Sequence, residues 1–137
     1  YRVLRNRAQK VDVRGAPAWI VGVDDAQVGQ EDVALAFADV PSAGTRLVLA
    51  HQPRSADRLP QDAGVVCFSG HTHGGQIVLP GITERIARGV GQPYLRGLYE
   101  VRGNWLLVSS GLGYGRGGPA VRLRNPPEVV LVTLRAG

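Results

Sequence analysis

The apolar positions of this chain fall in short unbroken runs separated by polar, glycine-rich stretches. Three runs stand out: "APAWIVGVDD", with its strand at 18–23 and two acids closing it, "TRLVLA" with a strand at 46–50, and "GVVCFS" at 64–69. Runs of this length without polar alternation suit strands covered on both faces. Between the first two, "GQEDVALAFADV" predicts a helix over roughly 30–39. Glu31 and Asp32 fall in its first turn, where they oppose the helix dipole, Val33 and Phe37 share a face, and Pro41 stops it. "PRSADRLP" predicts a turn or one short helical segment. Strand, helix, strand, short connection, strand is the order of an α/β unit with mostly parallel strands.

The flanks are less regular. The first 14 residues predict two short strands around a polar turn at Asn6. "QIVLP" predicts a short strand, and residues 82–97 an irregular stretch with a helical turn at "ITERIARG". "GLYEVRGNWLLVSS" reads as a hairpin turning at Gly103-Asn104, "GLGYGRGGP" as a flexible glycine-rich loop, and "PEVVLVTLR" as a final strand.

Composition narrows the class without naming a function. The 137 residues fit one domain with a sizeable core, and a hydrophobic share of 44% with 20% charged residues is ordinary for a globular domain. Net charge is +5, nearly all from arginine, with Lys10 the only lysine. The arginines are scattered, with no dense basic run, so nucleic acid is a weak candidate partner, while anionic groups such as phosphates or lipid headgroups at a membrane surface stay open. Cys67 is the only cysteine, which excludes an internal disulfide framework and a multi-cysteine zinc site. Within "GVVCF" it reads as a buried structural thiol. No run approaches the length of a transmembrane helix and no signal peptide is visible, which reads as a cytoplasmic protein or one peripheral to a membrane. The chain starts at Tyr1 and contains no methionine, the pattern expected of a piece of a longer protein.

The candidate chemistry lies in the three histidines. His51 directly follows the strand "TRLVLA", and His71 follows "GVVCFS". Both therefore fall at carboxyl ends of strands, where α/β sheets bind ligands. His71 and His73 sit in "SGHTHGGQ", one residue apart and flanked by Gly70, Gly74 and Gly75. In extended backbone two such side chains point the same way, and the glycines allow close approach of backbone to a ligand. Two adjacent imidazoles can serve two different metal ions, held roughly 3.5–4 Å apart in hydrolytic sites. The same pattern also fits a mononuclear site, or a histidine pair without metal.

"GHTHGGQ" resembles the last signature of the calcineurin-like metallophosphoesterases, and "LVLAHQP" resembles the histidine motif that precedes it. "IVGVDD", "VSSGLG" and "PPEVVLVTLR" are similar to the same branch, which includes phosphodiesterases like those that cleave UDP-2,3-diacylglucosamine. The resemblance covers essentially the whole chain. It implies a two-sheet sandwich with helices on the outside, of which this chain is the C-terminal half. It implies two divalent ions, Mn, Fe, Zn or Ni, with His51 and His71 on one and His73 on the other. It also implies a phosphoester substrate, such as a lipid-linked or nucleotide diphosphate.

The family's earlier motifs, D-x-H, G-D-x-x-D and G-N-H-D or G-N-H-E, are absent, and with them the bridging carboxylate and the histidine that assists the leaving group. No catalytic residue is therefore assigned to this chain, and on its own it is expected to be silent. Asp24 and Asp25 read as loop anchors and Asp57 as solvated. Arg54 departs from the branch, which often has Asp there; Arg54 and Arg116 are the candidates for contacting an anionic substrate. "GLGYGRGGP" matches no nucleotide-binding loop and is expected at the rim of the site. Tyr94 and Tyr99 read as packing residues. The alternative is a non-catalytic module that binds a metal or an anion.

Overall fold

A computed structural model describes residues 1–115 and 120–135. They form a mixed α/β unit on one six-stranded sheet. The strands are β1 (Arg7–Val13), β2 (Ala16–Val23), β3 (Thr45–Ala50), β4 (Val66–Ser69), β5 (Gly97–Val101) and β6 (Asn104–Val108), in the order β1-β2-β3-β4-β6-β5. The central strands β2, β3, β4 and β6 run parallel, and each edge is closed by an antiparallel hairpin partner, β1 and β5. The helices are α1 (Val33–Phe37) and α2 (Ile82–Gly89), with a 3-10 segment at Pro53–Arg58 after β3.

The core lies on one face. Val21, Val48, Cys67 and Leu106 are register partners in a row across four strands, each fully buried at 0% exposure. Ala36 of α1, Ala56 of the 3-10 segment, Leu59 just after it, and Val65 close over this row. Burying it excludes water from branched and aliphatic side chains, the main driving force for this layer.

The expectation of strands covered on both faces is corrected. The opposite face carries the row Ile20, Leu47, Val66, Trp105 and the row Gly22, Leu49, Phe68, Leu107. Leu49 is 48% and Trp105 49% exposed. Leu4 alone comes so close over Gly22 that a side chain there would collide with it. The runs do not alternate because both faces are apolar, yet only one is packed by the described residues.

Several boundaries also shift. The first six residues form no strand: Asn6 turns at φ +47°, accepts from the Asp24 and Asp32 amides at 2.9 and 3.1 Å, and donates to Gln30 O at 2.7 Å. It stitches the chain's start to the β2–α1 connection, and β1 begins after it. Helix α1 is shorter than expected because Asp32 accepts from the Leu35 amide at 2.8 Å and so caps it from outside, leaving Glu31 beyond the first turn. "QIVLP" makes a single bridge, Ile77 with Leu123, before Leu79 and Pro80 lead into α2, which is two turns rather than one. "PEVVLVTLR" forms no strand among the described residues: Leu131 is 91% exposed, and the Glu128 amide donates to Gly111 O at 3.1 Å outside any ladder. The β5–β6 hairpin turns at Arg102-Gly103, one residue before the expected position.

Cys67 is buried, as its setting implied. Burial pushes its thiol up from 9.0 to about 11, partly offset by the Ser69 hydroxyl. Stability tied to keeping it protonated is present below about pH 9 and is lost as pH rises towards 11. At pH 8 the two-unit rise lowers the thiolate fraction about a hundredfold. Ellman's reagent is therefore expected to react with the native protein at least about a hundredfold more slowly than with the protein in guanidinium. Equal rates in both would show that the thiol is not in the core.

Candidate metal centre

Parallel pairing of β3 with β4 sets the site. Their register brings the ends of both strands side by side, and the Gly70 amide donates to His51 O at 3.2 Å just beyond them. This places the His71 and His51 rings edge to face, with centroids 5.0 Å apart and His71 Nδ1 3.2 Å from His51 Nε2. Two ring nitrogens at that distance share one proton, or turn both lone pairs towards a common electrophile. Burial first, and then the His51 ring, push the His71 imidazolium pKa below its ordinary value, against an opposing pull from the Asp25 carboxylate. His71 is therefore neutral at pH 7, the state in which imidazole donates to a metal.

"SGHTHGGQ" is not extended. His71, His73 and Gln76 all have positive φ (64°, 49° and 54°), Thr72 is right-handed, and residues 73–75 form a 3-10 turn. Strand alternation therefore does not align the two imidazoles. Gly74, at φ +62°, lies so close to the Ser110 and Asn125 side chains that a Cβ would overlap them. Thr72 Oγ1 donates to Leu95 O at 2.6 Å, and Asn125 Nδ2 donates to His73 O at 2.5 Å. These tethers fix a strained loop, a feature that clusters at functional sites.

His73 makes no ring contact with the His51–His71 pair, though it lies near enough to help lower the His71 pKa. Among the described residues no group of three or more His, Cys, Asp or Glu side chains is gathered where it could hold a metal ion. His73 Nδ1 is nonetheless buried with no hydrogen-bond partner. Positions 113 and 115 lie against its ring: a Cβ on Gly113 would be 3.9 Å from Cε1 and one on Gly115 3.7 Å from Cδ2. The described part of the glycine-rich loop thus lies beside His73. The donor set fits the nitrogen side of a metal site: two imidazoles sharing a short contact, a third with an unpaired buried nitrogen, and one pushed towards neutrality.

The acids behave differently from one another. Asp24 accepts from Arg5 Nε and from the Asp25 amide, both at 2.9 Å, and the Arg5 contact is the main reason its pKa falls below the ordinary carboxylate value. Asp25 accepts from the Gln27 amide at 2.8 Å, so both are the loop anchors they read as. Asp57 is not simply solvated. It is half-buried and accepts from Tyr94 Oη at 2.7 Å, which, after burial, helps to raise the Tyr94 pKa to about 12. Tyr94 and Tyr99 pack edge to face at 5.1 Å. Arg54 is exposed on the 3-10 segment, with Nε 3.8 Å from Asp57, and lines a cavity together with His71. Arg116 lies outside the described residues. Sequence reading missed Asn125, whose setting "RNPP" carries no motif, and Glu31, which belongs to this cavity rather than to a helix turn.

No family model matches the chain, and no solved structure does. Curated relatives do. An uncharacterized metallophosphoesterase, YkuE, of Bacillus subtilis (strain 168) is 29% identical over 99% of this chain and 47% of its own length. The UDP-2,3-diacylglucosamine pyrophosphatase LpxG of Chlamydia trachomatis is 36% identical over 82% of this chain and 36% of its own. The phosphodiesterase YaeI of Escherichia coli (strain K12) is 31% identical over 96% of this chain and 47% of its own. The chain spans about half the length of the relatives it matches, or less. By this likeness along nearly all of its residues, the chain belongs with the metallophosphoesterases.

Proposed function

We propose that the protein carrying this chain is a metal-dependent phosphodiesterase with two divalent ions, and that His51, His71 and His73 are imidazole ligands, the first two on one ion and the third on the other. The observation that carries this reading is the 3.2 Å approach of His71 Nδ1 to His51 Nε2 at the carboxyl ends of two parallel strands. The relatives named as metallophosphoesterases and phosphodiesterases support the same class. What bound divalent ions supply to such a reaction is polarisation of the phosphate and activation of water.

The chain's own residues hold and orient. His71 stays neutral and offers a lone pair, and Asn125 and Thr72 pin the turn that presents His73. Arg54, which lines the cavity beside His71, is the proposed contact for a phosphate oxygen. Imidazoles suit Mn, Fe, Zn or Ni, whereas the hard oxygens that bridge a metal pair come from carboxylates, which this donor set lacks. They are assigned to the remainder of a longer protein, and the chain by itself is silent in this reading. LpxG is named for a UDP-linked glycolipid substrate. A phosphodiester or diphosphate joining two organic groups is the corresponding proposal here.

The test uses the full-length protein, stripped by chelation and dialysed. Hydrolysis of bis(p-nitrophenyl) phosphate is expected to vanish on stripping and to return with Mn or another of these ions. Turnover that survives chelation, or none with any of the four metals, overturns the reading. The alternative is a metal- or anion-binding module without turnover, for which the His51–His71 contact supplies a two-imidazole donor pair. It predicts metal binding in calorimetry with no hydrolysis.

A further inference from the structure

Residues 94–96, in the connection from α2 to β5, lie outside helix and strand. Their backbone is tied to one hydroxyl instead. Tyr99 Oη accepts from the Leu95 amide at 3.1 Å and the Arg96 amide at 3.4 Å, and donates to Arg96 O at 2.9 Å. A phenol oxygen has one proton and two lone pairs, so its whole hydrogen-bonding capacity is spent on this segment. Tyr99 is itself fixed to the sheet. It stands in register with the fully buried Leu106, packs against the core and meets the Tyr94 ring edge to face at 5.1 Å.

The same segment touches the histidine turn. Leu95 O accepts from Thr72 Oγ1 at 2.6 Å, and Leu95 Cδ1 lies 3.6 Å from where a Cβ on Gly75 would stand. Arg96 Nη1 donates to Asn125 Oδ1 at 3.2 Å, and Asn125, 2% exposed, donates in turn to His73 O. Two links thus run from one hydroxyl to positions 72 and 73. They reach the chain where His73 has φ +49°, a conformation that a residue other than glycine keeps only when its surroundings impose it. The His51–His71 pair is set by other means, the ends of β3 and β4 and the Gly70 amide on His51 O. We propose that Tyr99 is a positioning residue for His73: its hydroxyl holds Leu95 and Arg96, and these hold the turn that aims the His73 imidazole at its ion. This rests on the two-ion reading and adds what fixes one of the three ligands. Losing a group that orients a metal ligand costs roughly 10–100-fold in metal affinity, and Tyr99, acting through further residues, belongs at the lower end.

The experiment titrates Mn into the full-length protein after chelation. Calorimetry follows binding, and elemental analysis after gel filtration counts the bound ions. The wild type is expected to take up two ions. Tyr99→Phe removes one oxygen and keeps the ring; it is expected to weaken one ion about tenfold and leave the other unchanged. His51→Ala is expected to weaken the other ion. Asn125→Ala is expected to act on the same ion as Tyr99→Phe, and the two substitutions together by less than the sum of their separate effects, since they cut one path. A residue that only packs would lower the thermal midpoint without singling out one ion. Circular dichroism checks folding. Thr72→Val cuts the link to Leu95 from its other end and carries the test if Tyr99→Phe does not fold. Both ions unchanged, or both weakened alike, in the folded variant overturns the role given to Tyr99. A wild type that binds fewer than two ions overturns the two-ion reading itself, and that role with it.

Discussion

Replacing His71 by alanine in the full-length, metal-loaded protein is expected to lower kcat/KM for bis(p-nitrophenyl) phosphate by at least about a hundredfold, more than His51→Ala does. His71 is the residue on which the geometry converges. It touches the other imidazole at 3.2 Å, its charged form is suppressed by burial and by that neighbour, and it borders the cavity beside the site. Among the described residues His51, which is exposed, is held only at its backbone and by that one ring contact. Metal content by elemental analysis is expected to fall together with activity. That joint loss separates ligand removal from a general loss of fold, which circular dichroism reports. Full turnover with full metal content in the His71→Ala protein would sink the assignment.

The second large effect concerns stability. Leu106→Ala is expected to destabilise the protein by about 2–5 kcal/mol, read as a lowered urea midpoint at unchanged slope. Leu106 is fully buried and stands in register with Cys67, and through it with Val48 and Val21, in a row that crosses the parallel core. Truncation there leaves a void between β6 and its neighbours that three separate strands would have to move to fill. A loss under about 1 kcal/mol would mean that this row is not the close-packed centre of the sheet.

Much of this architecture was legible in the sequence because the strands are short and aliphatic. "WIVGV", "LVLA" and "VCFS" lack polar interruptions, so existence and order of β2, β3 and β4 followed directly, and with them the placement of His51 and His71 at strand ends. What failed has identifiable causes. Asp32 reads as a first-turn residue, yet its side chain accepts from an amide three residues on and so lies outside the helix. The apolar run near the end needs a neighbouring strand to become one itself, and no local pattern reveals whether that neighbour exists. The two left-handed histidines were hidden because only glycine announces positive φ in a sequence. Here Gly74 and Gly75 drew attention while His71 and His73 carried the same conformation. The tie from Asn125 to His73 spans 52 positions and leaves no trace in composition or spacing.

The side-by-side ends of β3 and β4 divide the chain into parts that tolerate changes of length and parts that do not. Between the two strands Ala56, Leu59 and Val65 are buried in the core, so length can change at the exposed turn, residues 60–62, without altering where either strand finishes. A single residue gained or lost within Val66–Ser69 is different. It reverses which side chains face the core and carries His71 away from His51 in the same step. Divergence in this chain is thus expected as insertions on the connection, while the count of residues from Val66 to His71 is held fixed by the sheet itself.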